Sequence, residues 1–290
     1  MPGFRNFKGI IDAYDAGRFK ISSWRKALTQ TTGTGIWFDL SMSPGNPVPN
    51  YYAASPLQAK ALSRSSDYGI DHGGGVAPLK KHLKGFTAIA TTSLATPLPI
   101  ILCDYLMYYP FVDMSVAGGE FQPFDNGTAT LPRYTDGKGV QMMAVEVAAQ
   151  IGGSRFYCTY TNQDGVPGRV TGTATCNTQV TNGTIVTSSP ALIGSMGPFM
   201  QLQAGDTGVR SIDGVTFLGA GDVGLITMVL VKPLATHSIL EITAPVERCF
   251  ACEFQSLPVV EDDAYLNMIC LPNGTLSGAQ LTGLAEFVWG

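Results

Sequence analysis

No stretch of this sequence keeps a helical period for more than about two turns. Short alternating or wholly apolar runs are separated instead by Gly-, Pro- and Asn-rich turns. That pattern restricts the chain to a meander of strands, and many short strands at near-regular spacing predict a sandwich or jelly roll. Val145, Val147, Ala149 and Ile151 alternate with Glu146, Ala148 and Gln150, the period of a half-buried strand. Gly152-Gly153 predicts a tight hairpin into residues 155–161, where Phe156, Cys158 and Tyr160 share one face. Asn182-Gly183 predicts a second hairpin, because both residues take positive φ at little cost. Residues 225–231 are almost wholly apolar, as in a strand buried on both faces. Other strands are expected at 170–176, 212–218, 238–243, 265–271 and 285–289. The fold class is mainly all-β: an antiparallel β-sandwich or jelly-roll-like body over residues 85–290.

Upstream of the body the pattern changes. Residues 1–35 read as an extended N-terminal arm, with two short amphipathic pieces ending at Gly17 and at 31–35 (TTGTG). Residues 36–84 read as a Pro-rich belt with short helices at 57–63 and 79–83. Pro44, Pro47, Pro49 and Pro56 deny regular hydrogen bonding, while Trp37, Phe38, Tyr51 and Tyr52 can anchor an extended path. Such a path is stable only over a support, either this chain's own body or a neighbour.

Charge sharpens the division. Only 14% of residues are charged, against about 25% in an average protein, which points to surface covered by neighbours. The first 26 residues carry Arg5, Lys8, Arg18, Lys20, Arg25 and Lys26 against Asp12 and Asp15, a balance of 6 − 2 = +4. With a net charge of −4, the remainder is −8. A basic arm beside an acidic body suits docking on an acidic neighbour, or contact with nucleic acid through the arm alone.

Tests for chemistry return little. Gly219, Gly221 and Gly224 spell GxGxxG, but the following residues are β-branched and end at Pro233, so the dinucleotide context of strand, turn and helix is missing. A hairpin turn is expected there. His72 precedes three glycines and reads as an exposed loop; His82, among Lys80, Lys81 and Lys84, reads as a solvated or partner-facing helix turn. Glu261, Asp262 and Asp263 lack the ligand alternation of a calcium loop and read as a solvated turn. Asn126, Asn182 and Asn273 begin Asn-Gly-Thr sequons, better read as turns. The six cysteines are expected to be reduced, and the single CxxC of Cys249 and Cys252 completes no zinc pattern. Residues 1–17 show no secretory signal, and 98–112, the most apolar stretch, is too short for a spanning helix and carries Asp104. A soluble chain without metal or cofactor, and not an enzyme, is expected.

Residues 36–52 (IWFDLSMSPGNPVPNYY), 131–144 (LPRYTDGKGVQMMA), 205–234 (GDTGVRSIDGVTFLGAGDVGLITMVLVKPL) and 264–290 (AYLNMICLPNGTLSG…EFVWG) together resemble a recurrent group of tailed-bacteriophage structural proteins. The resemblance implies a virion component assembled in a bacterial host's cytoplasm, and it carries no catalytic residues. The expected role is an auxiliary head protein of the decoration type, meeting its own copies and the major capsid protein. The alternatives are the major capsid subunit, which needs a long spine helix, and a tail, adaptor or receptor-binding component. A phage-borne glycan hydrolase would require paired carboxylates about 5 to 9.5 Å apart. Partner contacts are expected at Arg5, Lys8, Arg18, Lys20, Trp24, Arg25, Lys26, Trp37, Tyr51 and Tyr52, acting mainly by apolar area removed from water, at about 25 cal/mol per Å². Deletion of residues 1–35 is expected to leave a folded body.

Overall fold

The computed structural model describes residues 3–92, 94–253 and 257–290. The outermost two positions of the expected arm, residue 93 and residues 254–256 lie outside the described residues. Helix α1 (Phe7–Asp15) leads into strand β1 (Phe19–Ala27). Three two-residue strands follow, β2 (Phe38–Asp39), β3 (Gly45–Asn46) and β4 (Lys60–Ala61), then one turn of helix, α2 (Arg64–Asp67). Next come β5 (Lys81–Ala90), β6 (Leu98–Asp113), β7 (Phe121–Pro123), β8 (Gln141–Ile151) and β9 (Arg155–Asn162). The short β10 (Arg169–Val170) and β11 (Ala174–Thr175) precede β12 (Val209–Phe217) and β13 (Val223–Ile239). The remaining elements are β14 (Val246–Cys249), α3 (Phe250–Glu253), β15 (Val259–Val260), β16 (Leu266–Cys270) and β17 (Gln280–Trp289). With 42% strand, 7% helix and three antiparallel sheets, the chain is a mainly all-β sandwich, as expected.

The most apolar stretch of the sequence is the spine of the fold. Strand β6 pairs with β13 along nearly its whole length, at the centre of a sheet ordered β2-β16-β6-β13-β8. A second sheet runs β14-β5-β17-β1-β3, and a third β10-β9-β12-β7. Alternation along β6 divides its side chains between three cores. Leu98, Ile100 and Leu102 join Trp24, Leu83, Phe86, Leu281 and Phe287 of the second sheet. Leu106, Tyr109 and Val112 join Phe156, Cys158, Tyr160, Ile212 and Phe217 of the third. Cys103, Tyr105 and Tyr108 face a separate core with Met42, Tyr52 and Leu62. The body is thus two sandwiches sharing one central sheet, and the Pro-rich belt lies over its own chain. Residues 226–231 of β13 are buried throughout, as their sequence predicts.

Two expected hairpins are corners instead. Strand β8 pairs with β13 and β9 with β12, so Gly152-Gly153 carries the chain from one sheet to another. The glycines at 219–224 do the same between β12 and β13. Met142 and Ala144 thereby face Phe156, Cys158 and Tyr160 across one core, burying both apolar faces, which pairing side by side would not do. The Asn182-Gly183 turn forms, with Thr184 N donating to Thr181 O at 3.0 Å, but its flanks do not pair with each other. Gly183 N donates to Glu146 O and Glu146 N to Thr184 O, both at 2.8 Å, so the turn seals the edge of β8. The expected helices at 57–63 and 79–83 are absent. The second window opens β5, whose ladder with β17 overrides a weak local preference.

The N-terminal arm is likewise corrected. Strand β1 pairs with β17 from Phe19↔Val288 to Ala27↔Gln280 and sits inside the second sheet. Trp24 is buried, stacked on Phe86 at 5.5 Å. It passes over Gly283, where a Cβ would come within 2.7 Å of the indole. Lys26 is buried too, and its ammonium donates to Ser43 O at 3.2 Å and Pro47 O at 3.0 Å, tying the belt to β1. Removing residues 1–35 would therefore strip out a strand, not a tether.

Candidate interaction surface

The outer face of the second sheet is built from both ends of the chain. Asn6 caps α1, its side-chain oxygen accepting from Gly9 N at 3.0 Å. Ile10 and Ala13 then pack on Val288 of β17. One turn on, the Tyr14 hydroxyl donates to Glu286, whose second oxygen accepts from Lys84 Nζ at 2.8 Å. The Lys84 ammonium also lies 5.1 Å from the Tyr14 ring centre. Burial, and then the Glu286 carboxylate, push the Tyr14 phenol up. The Tyr14 ring stacks on Phe19 at 4.6 Å, fixing the helix against β1.

This docking leaves an apolar strip in solvent. Phe7 and Ile11 lie one above the other on α1, and Phe7 is 58% exposed. Phe19 and Ile21 alternate on one face of β1, and Ile21, 52% exposed, lies opposite Glu286 in the ladder to β17. Leu284, exposed on β17, is two residues further along the same face. Arg5, Lys8, Lys20 and Arg25 surround the strip in sequence. Lys8 pairs with Asp12 at 2.7 Å in full solvent, and Lys20 with Asp71 at 2.9 Å. Such exposed pairs contribute little to stability.

The expected partner contacts divide accordingly. Arg5, Lys8, Arg25 and Tyr51 are exposed; Arg18, Lys20 and Trp37 are half-buried. Trp24, Lys26 and Tyr52 are corrected: each is buried in its own chain and reaches no neighbour. Sequence reasoning missed Phe7, Ile11, Phe19, Ile21 and Leu284. Alternation puts Phe19 and Ile21 on one face of β1, but only the packed sheet shows that this face is the outer one.

Titratable groups elsewhere are tied into the framework. His72 is buried, not in an exposed loop: its Nε2 donates to Ala264 O and its Nδ1 accepts from Lys81, both at 2.9 Å. Burial, and then the Lys81 ammonium, push His72 down to about 4. Lys81 also donates to Gly74 O at 2.8 Å and Asp262 at 3.3 Å, so each of its three hydrogens has an acceptor. His82 belongs to β5 and is buried beside Phe4, not on a helix turn. The acidic run is a brace, with Asp263 accepting from Ser65 N at 2.8 Å and Ser65 Oγ at 2.9 Å. Asp39, fully buried, accepts from Ser41 N, Ser41 Oγ, Tyr105 and Tyr52. Asp104 takes Arg133 bidentately at 2.8 Å on each oxygen, and the guanidinium continues to Leu62 O and Tyr105 O at 3.0 Å. The sulfurs of Cys249 and Cys252 lie 3.2 Å apart. Among the described residues no three His, Cys, Asp or Glu side chains converge as a metal site.

No protein-family model matches this chain, and no curated protein matches it. A solved structure of infectious bursal disease virus, Gx strain, aligns over 94% of this chain and 80% of that one. The identity is 9% and the TM-score 0.19, a superposition too loose to bear on fold or function. What remains is the surface itself: exposed apolar side chains on α1, β1 and β17, with basic residues close to them in sequence.

Proposed function

We propose that the chain is a structural subunit of a tailed-phage particle, an auxiliary head protein that seats its N-terminal face on an acidic neighbour. The observation that carries this reading is the strip of Phe7, Ile11, Phe19, Ile21 and Leu284, exposed on α1, β1 and β17. Apolar side chains fixed on a sheet and a docked helix lose little freedom on binding, so their burial is retained as affinity. Arg5, Lys8 and Arg25 steer an acidic partner towards it. The resemblance of four sequence segments to phage structural proteins supplies the kind of assembly. The longest helix among the described residues has nine residues, which favours an auxiliary subunit over a shell subunit built on a spine helix.

The test is incorporation. Ile21→Asp and the double charge reversal Arg5→Glu/Lys8→Glu are introduced, and purified particles are quantified by mass spectrometry. Hundreds of wild-type copies per particle and a severalfold drop for the variants are expected. A chain found in infected lysate but never in particles overturns the reading, as does full occupancy by both variants.

A further inference from the structure

Cys249 ends β14 and Cys252 sits in the single turn of α3, so the CxxC spans the junction between an edge strand and the helix that follows it. Both sides of that junction are held. Strand β14 pairs with β5, placing Cys249 opposite Gly85. Phe250 is buried in the core of the second sheet with Leu83 and Val260, and the Arg248 guanidinium lies 5.8 Å from its ring centre. The two sulfurs are thereby brought to 3.2 Å. A covalent S–S bond is about 2.05 Å long, so small side-chain rotations suffice to close it.

The other four cysteines are placed differently. Cys103, Cys158, Cys176 and Cys270 are buried in the three cores, out of reach of a dissolved oxidant. Burial also pushes each of these thiols up, away from the nucleophilic thiolate. Cys252, by contrast, is exposed, and Cys249 is half-buried beside it. Only this pair combines access with a second sulfur in reach.

We infer that Cys249 and Cys252 are a redox site, closing reversibly to a disulfide by exchange with a small-molecule disulfide such as oxidised glutathione. The exposed Cys252, as thiolate, attacks one sulfur of the oxidant, forming a mixed disulfide and releasing one thiol. The Cys249 sulfur then attacks Cys252, forms the intrachain bond and expels the second thiol. The pair gives up two electrons and two protons, and the S–S bond of the oxidant becomes two thiols. The new bond ties the turn of α3 to the end of β14, whose ladder to β5 is only four residues long. A short edge strand is among the first elements to open, so the oxidised form holds the margin of the second sheet closed and a reductant releases it.

The full chain is equilibrated in buffers running from reduced to oxidised glutathione, alkylated, and cleaved after glutamate. Cuts after Glu247 and Glu253 release residues 248–253, which contain Cys249 and Cys252 and no other cysteine. This peptide is expected to pass from doubly alkylated to a form two hydrogens lighter than the dithiol, without adduct, and to return on reduction. The four core cysteines are expected to alkylate only after unfolding. Cys249→Ser is expected to stop at a stable glutathione adduct on Cys252, and Cys252→Ser to form little adduct. Amide exchange over residues 246–253 is expected to slow severalfold when the wild type is oxidised. A wild-type peptide that stays doubly alkylated in fully oxidised glutathione overturns the inference. So does one that ends as a glutathione adduct or as a disulfide between two copies, and unchanged amide exchange removes the pinning role. Purified chain alone is used, so failure of the particle assay leaves these outcomes unaffected.

Discussion

Glu146 shows how one side chain sets a pH dependence. It is buried in β8, its Oε1 accepts from Gln150 N at 3.3 Å, and its Oε2 and the Gln150 side-chain oxygen both lack donors. Burial pushes its carboxyl up to about 8. Between the ordinary value near 4.5 and that raised one, the folded chain holds a proton that the unfolded chain has released. The associated stability is complete on the acid side and declines as pH rises to about 8. Glu146→Gln keeps the shape and cannot ionise, so it should stabilise by about 1–3 kcal/mol at pH 8.5 and hardly at pH 4.5. Urea denaturation at the two pH values measures the difference, and equal gains at both would reject the assignment. His72 acts in the opposite direction: held down to about 4, it removes stability as pH falls from about 6.5. A second residue prediction concerns Arg133. Arg133→Met leaves the Asp104 carboxylate buried without its cation and should cost about 3–5 kcal/mol, read from the same denaturation curves. None of these ties was legible in the sequence, because Asp104 and Arg133 acquire meaning only when β6 and a distant loop meet. Trp24 and Lys26 misled for a related reason: an aromatic and a basic residue look alike on an arm and in a ladder.

At the scale of elements, strands were legible and their partners were not. Alternation and turn residues are local, so β8, β9, β12, β13, β16 and β17 all arise near their expected positions. Pairing depends on which faces can be buried together, and this turned the Gly152-Gly153 and Gly219–Gly224 hairpins into corners between sheets. Strand β1 was the costliest misreading, since its partner lies at the far end of the sequence. Truncation tests the corrected view. Removing residues 1–17 takes away α1 and should give a folded protein with a lower melting temperature. Removing residues 1–28 also takes β1 and exposes the β17 edge together with Leu281, Ala285 and Phe287, so insoluble or molten protein is expected. A cooperative thermal transition in the longer deletion would show that β1 is dispensable.

At the scale of the molecule, the N-terminal face mixes apolar side chains with Arg5, Lys8 and Arg25. Association through this face should weaken severalfold as salt rises from about 50 to 500 mM. Binding of wild-type protein to particles lacking it, followed over that range, measures the effect; salt-independent uptake would remove the steering role given to the basic residues. The low charge of the sequence pointed towards covered surface, but composition alone could not place it. The ladder between β1 and β17 has a further consequence, for timing during synthesis. The Thr282 hydroxyl donates to Trp24 O across 258 residues of chain. A ribosome making this protein releases β1 long before its ladder partner exists, so Phe19, Ile21 and Trp24 wait unpaired while the residues between are made. The second sheet closes only after β17 has left the exit tunnel, and a nascent chain stalled before that point should be the form that chaperones hold.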